Sequence, residues 1–352
     1  MPKSGQRFSS FAGADNSKTD CMPSLVTGAA GHIGANIVQE LLERGEKVRA
    51  MVRATSNTTQ LPDHPNLEIV EGDVFDRPSL VRAVEGNQFV YHAAAVYSLS
   101  RKSPGVILET AMQGTRNMLE AVRVAGGVKR IVYTSSVAAV GMTADPTRPL
   151  DETSWTNDDD IDEYTKAKLE SERLAHKLAA ELDLDLVAVN PALVLGPLDL
   201  KPTPSNKLVL DFLEGKVPAY LETGLSAVHV SDVAKGHLLA MQKGRRSERY
   251  ILAGANVKLG EFFEVLGRIA GKKPPGIRLP RPFAIGMAHL FEAAASFTGG
   301  EPLATPQAMR NLIDRYGYYS TAKAERELGY HPRGLEETLE STVAWFRRNK
   351  TD

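Results

Sequence analysis

Cysteine is almost missing from this chain. Its 352 residues contain one, Cys21, so no disulfide can form within it, which fits a reducing, cytoplasmic compartment. Excess charge of one sign is missing too: 42 lysines and arginines stand against 43 acidic residues, a net charge of −1. No bulk field therefore draws nucleic acid or an anionic membrane to it. No apolar run approaches the roughly eighteen residues of a spanning helix. Residues 1–22 lack the apolar stretch of a secretory signal, and their small polar composition reads as a flexible extension. There is no internal repeat, and no cluster with metal-ligand spacing. The run Asn157-Asp158-Asp159-Asp160 reads as a solvated loop, so no metal is expected.

What is present is alternation. From residue 23, short β-rich runs at 23–30, 47–52, 67–74, 88–95, 130–136 and 184–197 are separated by helical periodicity at 32–44, 78–86, 105–125 and 164–182. Strands alternating with helices imply parallel pairing and right-handed crossovers. The expected fold class is α/β: a Rossmann-type, doubly wound parallel sheet with a smaller, mostly helical C-terminal domain. The rhythm breaks after Pro197. Residues 227–254 read as strand, helix and strand returning to the first domain. Residues 198–226 and 255–348 are assigned to a substrate-binding domain.

Thr27-Gly28-Ala29-Ala30-Gly31-His32-Ile33-Gly34 follows the first strand and opens the first helix. Gly28 permits the tight turn, Gly31 lets the backbone approach a pyrophosphate, and Gly34 lets helix and sheet pack closely. The helix N-terminus offers N–H donors and a partial positive charge to phosphates. An NAD site usually carries an acid about 20 residues past the first glycine. Here the second strand ends in Arg53, followed by Thr55 and Ser56. A guanidinium there suits a 2′-phosphate, so NADP(H) is expected over NAD(H). Asp73 and Val74, after the third strand, are candidates to line the adenine. Ala93, Ala94 and Ala95, after the fourth, are small enough to admit ribose and phosphate near the backbone.

Tyr164 and Lys168 lie four residues apart on one helix and so share a face. A lysine ammonium near a phenol favours the phenolate, and such a tyrosine can pass a proton to or from a carbonyl oxygen. Lys168 can also bind ribose hydroxyls. Ser136, at the end of the fifth strand, can hold the same carbonyl oxygen.

The order TGAAGHIG, EGDV, HAAA, VYTSSVAAVG, YTKAK, NPALVLGP resembles the extended short-chain dehydrogenase/reductase family, within the NAD-dependent epimerase/dehydratase superfamily. The resemblance runs from about residue 24 to 345. The stretch KPTPSNKLVLDFLEGKVPAYLETGLSAVHVSDVA is most similar to hopanoid-associated sugar epimerases, a group itself similar to dihydroflavonol reductases. The resemblance implies a catalytic triad of Ser136, Tyr164 and Lys168. Ser136 is preferred to Ser135 because the family's serine precedes its glycine, here Gly141, by five residues. It further implies cofactor contacts from Pro191, Leu193 and Val194, and a homodimer through helices like 105–125 and 164–182.

Several departures bear on substrate. Leu225 stands where sugar-nucleotide epimerases carry a diphosphate-binding arginine, and a leucine cannot bind phosphate by charge. NPALVLGP is closer to flavonoid- and hydroxysteroid-type reductases than to sugar epimerases. The family's Asn-Val-x-Gly-Thr reads Ala111-Met112-Gln113-Gly114-Thr115, so the resemblance does not carry a proton relay through that asparagine. The expected activity is therefore NADPH-dependent reduction of a small aldehyde or ketone. The alternative is a sugar or nucleotide-sugar epimerase with tightly bound cofactor. Residues 97–103, 141–160 and 195–225 are the expected pocket walls. Their Tyr97, Leu99, Met142, Trp155, Leu193, Phe212 and Tyr220 point to a partly hydrophobic substrate. His229 and Asp232 read as a buried hydrogen-bonded pair or a helix cap, and residues 283–297 as a core or substrate-domain helix.

Overall fold

The computed structural model describes residues 23–94, 105–157, 161–298 and 313–349. The N-terminal extension, Ala95, Tyr97, Leu99 and Asp158 to Asp160 lie outside the described residues.

Seven strands form one parallel sheet: β1 (Ser24–Thr27), β2 (Val48–Val52), β3 (Leu67–Glu71), β4 (Phe89–His92), β5 (Arg130–Thr134), β6 (Leu186–Pro191) and β10 (Arg249–Leu252). Their spatial order is β3-β2-β1-β4-β5-β6-β10, and every pairing is parallel. The order reverses between β1 and β4, the switch point at which doubly wound sheets bind ligands beyond their strand C-termini.

Period-two alternation feeds two cores. On β1, Val26 joins one apolar cluster and Leu25 the other. The Val26 side is closed by α1 (His32–Glu43) and α6 (Val230–Lys243). The Leu25 side is closed by α2 (Arg77–Val84), α3 (Val106–Ala125) and α4 (Glu163–Glu181). In α1, Ile37, Val38, Leu41 and Leu42 form the buried stripe. Gly45 ends that helix at φ +75°, with its N–H on the Leu42 carbonyl, a left-handed stop that glycine takes without steric cost.

The run expected as one strand at 184–197 is two strands in two sheets. After β6 the chain leaves the large sheet at Ala192, and β7 (Leu193–Leu195) joins β9 (Gly224–His229) and β11 (Ala255–Lys258) in a three-stranded sheet. The run carries no mark of such a change of sheet: Ala192 and Leu193, where the chain crosses over, are half-buried but as apolar as Pro191 and Val194 beside them. The small sheet packs with α5 (Pro204–Leu213), α7 (Leu259–Ala270) and α10 (Leu335–Asn349) around a third core that holds Leu195, Phe212, Phe262, Phe263 and Leu339. Two-residue strands β8 (Ala219–Tyr220) and β12 (Ile277–Arg278) pair in parallel, too short to be read from alternation. Helix α8 (Arg281–Thr298) buries Ala284 and Ala288 but leaves Phe283 and Leu290 exposed, so of the two readings of 283–297, core or substrate-domain helix, the core one does not hold. Among the described residues no helix is long and apolar enough to cross a membrane.

The small sheet is fastened to the large one through α6. His229 caps that helix, its Nδ1 accepting the Ser231 N–H at 3.1 Å. Asp232 accepts three hydrogen bonds from Arg333, all at 2.9 Å. The cap is as expected, but Asp232 pairs with Arg333, which follows α9 (Ala322–Leu328) in the chain.

Candidate active site

The glycine turn is built by contacts that leave no room for a side chain. A Cβ on Gly34 would lie 2.1 Å from the Gly28 carbonyl oxygen. Gly28 has φ +68°, and a Cβ there would lie 2.7 Å from the Cα of Ala94. Gly31, at the N-cap of α1, makes no side-chain cap, and the first turn carries no acid. The Gly31 N–H donates to the Gly28 carbonyl at 2.9 Å, and those of the first helical turn, from His32 on, are left for an anion. Gln60 donates to the Ala30 carbonyl and braces the turn from outside. These observations fit a dinucleotide.

The other expected cofactor residues fall in three kinds of place. Arg53 is exposed, its guanidinium makes no ion pair among the described residues, and its backbone N–H is held by Ser56 Oγ at 3.2 Å. Asp73 is engaged locally, Oδ1 accepting the Phe75 N–H at 2.9 Å. Val74 fixes its loop to α3, where its carbonyl accepts from Asn117 at 2.8 Å. Ile33 and Ala93 pack on the core that also holds Val194. Leu193 packs on the third core, and Pro191 pairs with Leu252 at the end of β6. For Val194, buried in that core, only backbone atoms remain to meet a ligand. His32 turns inward, with Nδ1 3.9 Å from the Asp199 carboxylate. Burial pushes its pKa down, an effect Asp199 partly offsets. Its Nε2 is buried without a hydrogen-bond partner.

Tyr164 and Lys168 share one recess with Ala94, Val74, His92 and Thr134. Ala94 thus lies against the glycine turn and in the wall of the recess that holds Tyr164 and Lys168. Asp162 caps α4, its Oδ1 accepting the Thr165 N–H at 2.9 Å, and so fixes where Tyr164 enters the helix. Ala111, where the family has asparagine, lines the same recess with Thr115 and Tyr133.

The two serines after β5 have different surroundings. Ser135 is buried and donates to Glu172 Oε2 at 2.5 Å, so its hydroxyl is committed to the interior. Ser136 is half-exposed, and its Oγ accepts the Ala138 N–H at 3.1 Å.

Sequence reasoning missed His92, Asn190, Glu172 and Arg249. His92 Nδ1 is 2.8 Å from Thr27 Oγ1. Burial, and then the Lys168 ammonium, push its pKa down to about 4, so the imidazole beside the tyrosine–lysine pair is neutral. Glu172 continues the four-residue spacing of Tyr164 and Lys168, but those two are half-buried and Glu172 fully buried, so the spacing places it on their side of the helix without marking its partners. Two expected substrate-facing residues are corrected. Phe212 is 3% exposed and stacks on Phe263 in the third core. Trp155 lies under the Arg249 guanidinium, 3.7 Å from its ring centroid. It lines a separate charged cavity of about 760 Å³ with Arg173, Lys323 and Glu327. Among the described residues no cluster suited to a metal occurs.

Residues 24–253 match the NAD dependent epimerase/dehydratase family. The chain belongs to that family. It is 37% identical over 334 residues to a putative dihydroflavonol 4-reductase of Synechocystis, covering 94% of this chain and 95% of that protein. It is 35% identical to sterol demethylase protein B of Methylococcus capsulatus, covering 93% and 98%. The crystal structure of gox2253 superposes with a TM-score of 0.82 at 38% identity, covering 93% and 98%.

Proposed function

We propose that this protein is an NADP(H)-dependent reductase of a small, partly hydrophobic aldehyde or ketone. The observation that carries the reading is the placement of Tyr164 and Lys168 in one recess at the switch point, joined through Ala94 to the glycine turn. The likeness to a putative dihydroflavonol 4-reductase supports reduction over epimerisation.

The backbone N–H groups of His32 to Gly34 would hold the pyrophosphate, Arg53 the 2′-phosphate, and Lys168 the ribose hydroxyls. When bound, the nicotinamide supplies the hydride. Ser136 Oγ and the Tyr164 phenol hold the substrate oxygen, and Tyr164 delivers the proton that makes it an alcohol. Lys168 stabilises the phenolate left behind, which regains its proton from solvent. Leu225, packed on the third core in β9, offers no charge to a sugar diphosphate. That absence separates the reading from a nucleotide-sugar epimerase.

The test is a panel of aromatic, aliphatic and alicyclic carbonyls followed by NADPH absorbance, with NADH in parallel. Turnover with NADPH on at least one carbonyl, and weak turnover with NADH, is expected. Protein that purifies with NAD(H) bound and interconverts sugars without net redox change would replace this reading by the epimerase one.

A further inference from the structure

Behind the tyrosine–lysine pair lies a buried ionic group that the proposed chemistry does not use. Glu172 is 0% exposed and stands one turn beyond Lys168 on α4. Its Oε2 accepts from Ser135 Oγ at 2.5 Å, Asn190 Nδ2 at 2.8 Å and an Arg249 terminal nitrogen at 3.2 Å. Its Oε1 lies 2.8 Å from Arg249 Nε, out of line for a hydrogen bond. The same Asn190 amide also donates to the Ser136 carbonyl at 3.1 Å. Arg249 is itself fixed, donating to the Ser154 carbonyl at 2.9 Å and lying over Trp155.

The sheet does not need this group to close. β5 and β6 already pair along Ile131 to Thr134, and β6 pairs with β10. A buried ion pair contributes little net stability over an apolar packing of the same volume. What it adds is direction: one carboxylate on the helix of Tyr164 and Lys168 grips the hydroxyl just before Ser136. Through Asn190 it also grips the carbonyl of Ser136 itself. The Ser136 hydroxyl is oriented by the Ala138 N–H, so its aim follows the backbone that Glu172 holds.

We propose that Glu172, anchored by Arg249, is a positioning residue that sets the reach of Ser136 relative to Tyr164 and Lys168. The proposal rests on the reductase reading above. The experiment is a double-mutant cycle, scored as kcat per NADPH-binding site. Glu172→Gln keeps the shape and one acceptor but loses the charge that orients Arg249. Its kcat should fall about 10- to 100-fold, with NADPH affinity and substrate KM within about twofold. Combined with Ser136→Ala it should cost little more than Ser136→Ala alone, because both act at one point.

A merely structural Glu172 would lower the melting temperature and leave kcat per site unchanged, which overturns the proposal. So does a double mutant whose losses multiply. If Glu172→Gln does not fold, Asn190→Ala runs the same cycle, since it removes the amide that links Glu172 to the Ser136 carbonyl and must then show the same non-additivity. Wild-type protein without carbonyl reduction, or a fully active Tyr164→Phe, brings down the reductase reading and this inference with it. Active wild type, inactive Tyr164→Phe and unaffected Glu172→Gln bring down this inference alone.

Discussion

Gly28 and Ala94 meet so closely that a Cβ on Gly28 would lie 2.7 Å from the Ala94 Cα. This contact brings the ends of β1 and β4 together at the point where the strand order reverses. Ala94 also lines the recess of Tyr164 and Lys168. Ala94 thus lies both beside the glycine turn and in the wall of that recess, so displacing it should disturb both.

Gly28→Ala should weaken NADPH binding at least about tenfold, because the new methyl must push β4 or the turn away. Gly45→Ala is the control. Gly45 also has a positive φ, +75°, but nothing lies within 4 Å of its Cβ position. That change costs only backbone strain, about 1 kcal/mol, and should leave NADPH affinity unchanged. Fluorescence titration and thermal melting of both variants separate the two effects. Equal NADPH affinity in both would remove the close-contact argument.

Tyr164→Phe keeps the ring and deletes the hydroxyl proposed as the proton donor. Turnover should fall by about 10²- to 10⁴-fold while NADPH still binds, since a positioned general acid is worth roughly that much. Steady-state kinetics beside equilibrium NADPH binding decides it.

Arg53→Ala tests the cofactor. The guanidinium is exposed and without an ion pair among the described residues, so its removal releases no buried partner and should not affect folding. The ratio of kcat/KM for NADPH over NADH should drop at least about tenfold, through loss of one charged contact to a phosphate. An unchanged ratio would mean that the 2′-phosphate, if bound, is held elsewhere.

Local chemistry was the legible part of this protein. The glycine turn, the alternation of strands with helices and the Tyr164–Lys168 spacing are all set by neighbours within about one helix turn or one strand. Residues 227–254 were expected to return to the first domain as strand, helix and strand; β10 pairs in the large sheet, but the strand before α6, β9, lies in the small one. Contacts made at long range were not legible. Glu172 and Arg249 are 77 positions apart, and nothing local marks either as a partner of the serine strand. Trp155 and Phe212 were expected at the substrate because large apolar residues near strand exits often line pockets. One instead packs beneath an arginine and the other fills a core. The break at Ala192 between two sheets left no trace in a stretch, 191–195, that is apolar at every position.

Acid should destabilise the fold through histidines before most carboxylates titrate. Burial, joined by Lys168 at His92 and Arg333 at His229, pushes His92, His229 and His237 from 6.5 to about 4 each. Burial keeps His237 neutral; its Nδ1 lies 2.8 Å from the Val233 carbonyl and its Nε2 2.9 Å from Thr134 Oγ1. A lowered folded pKa means that the unfolded chain binds the extra protons. Stability from these groups is therefore complete above pH 6.5 and is lost as pH falls toward 4. Each proton taken up on unfolding adds a slope of about 1.4 kcal/mol per pH unit. Urea unfolding at steps from pH 7 to pH 5 should show stability declining with falling pH. His237→Gln, which keeps an amide donor for the Val233 carbonyl and removes the titrating group, should lower that slope by up to one proton. A flat profile across this range, or an unchanged slope in His237→Gln, would show that the buried histidines do not govern acid stability.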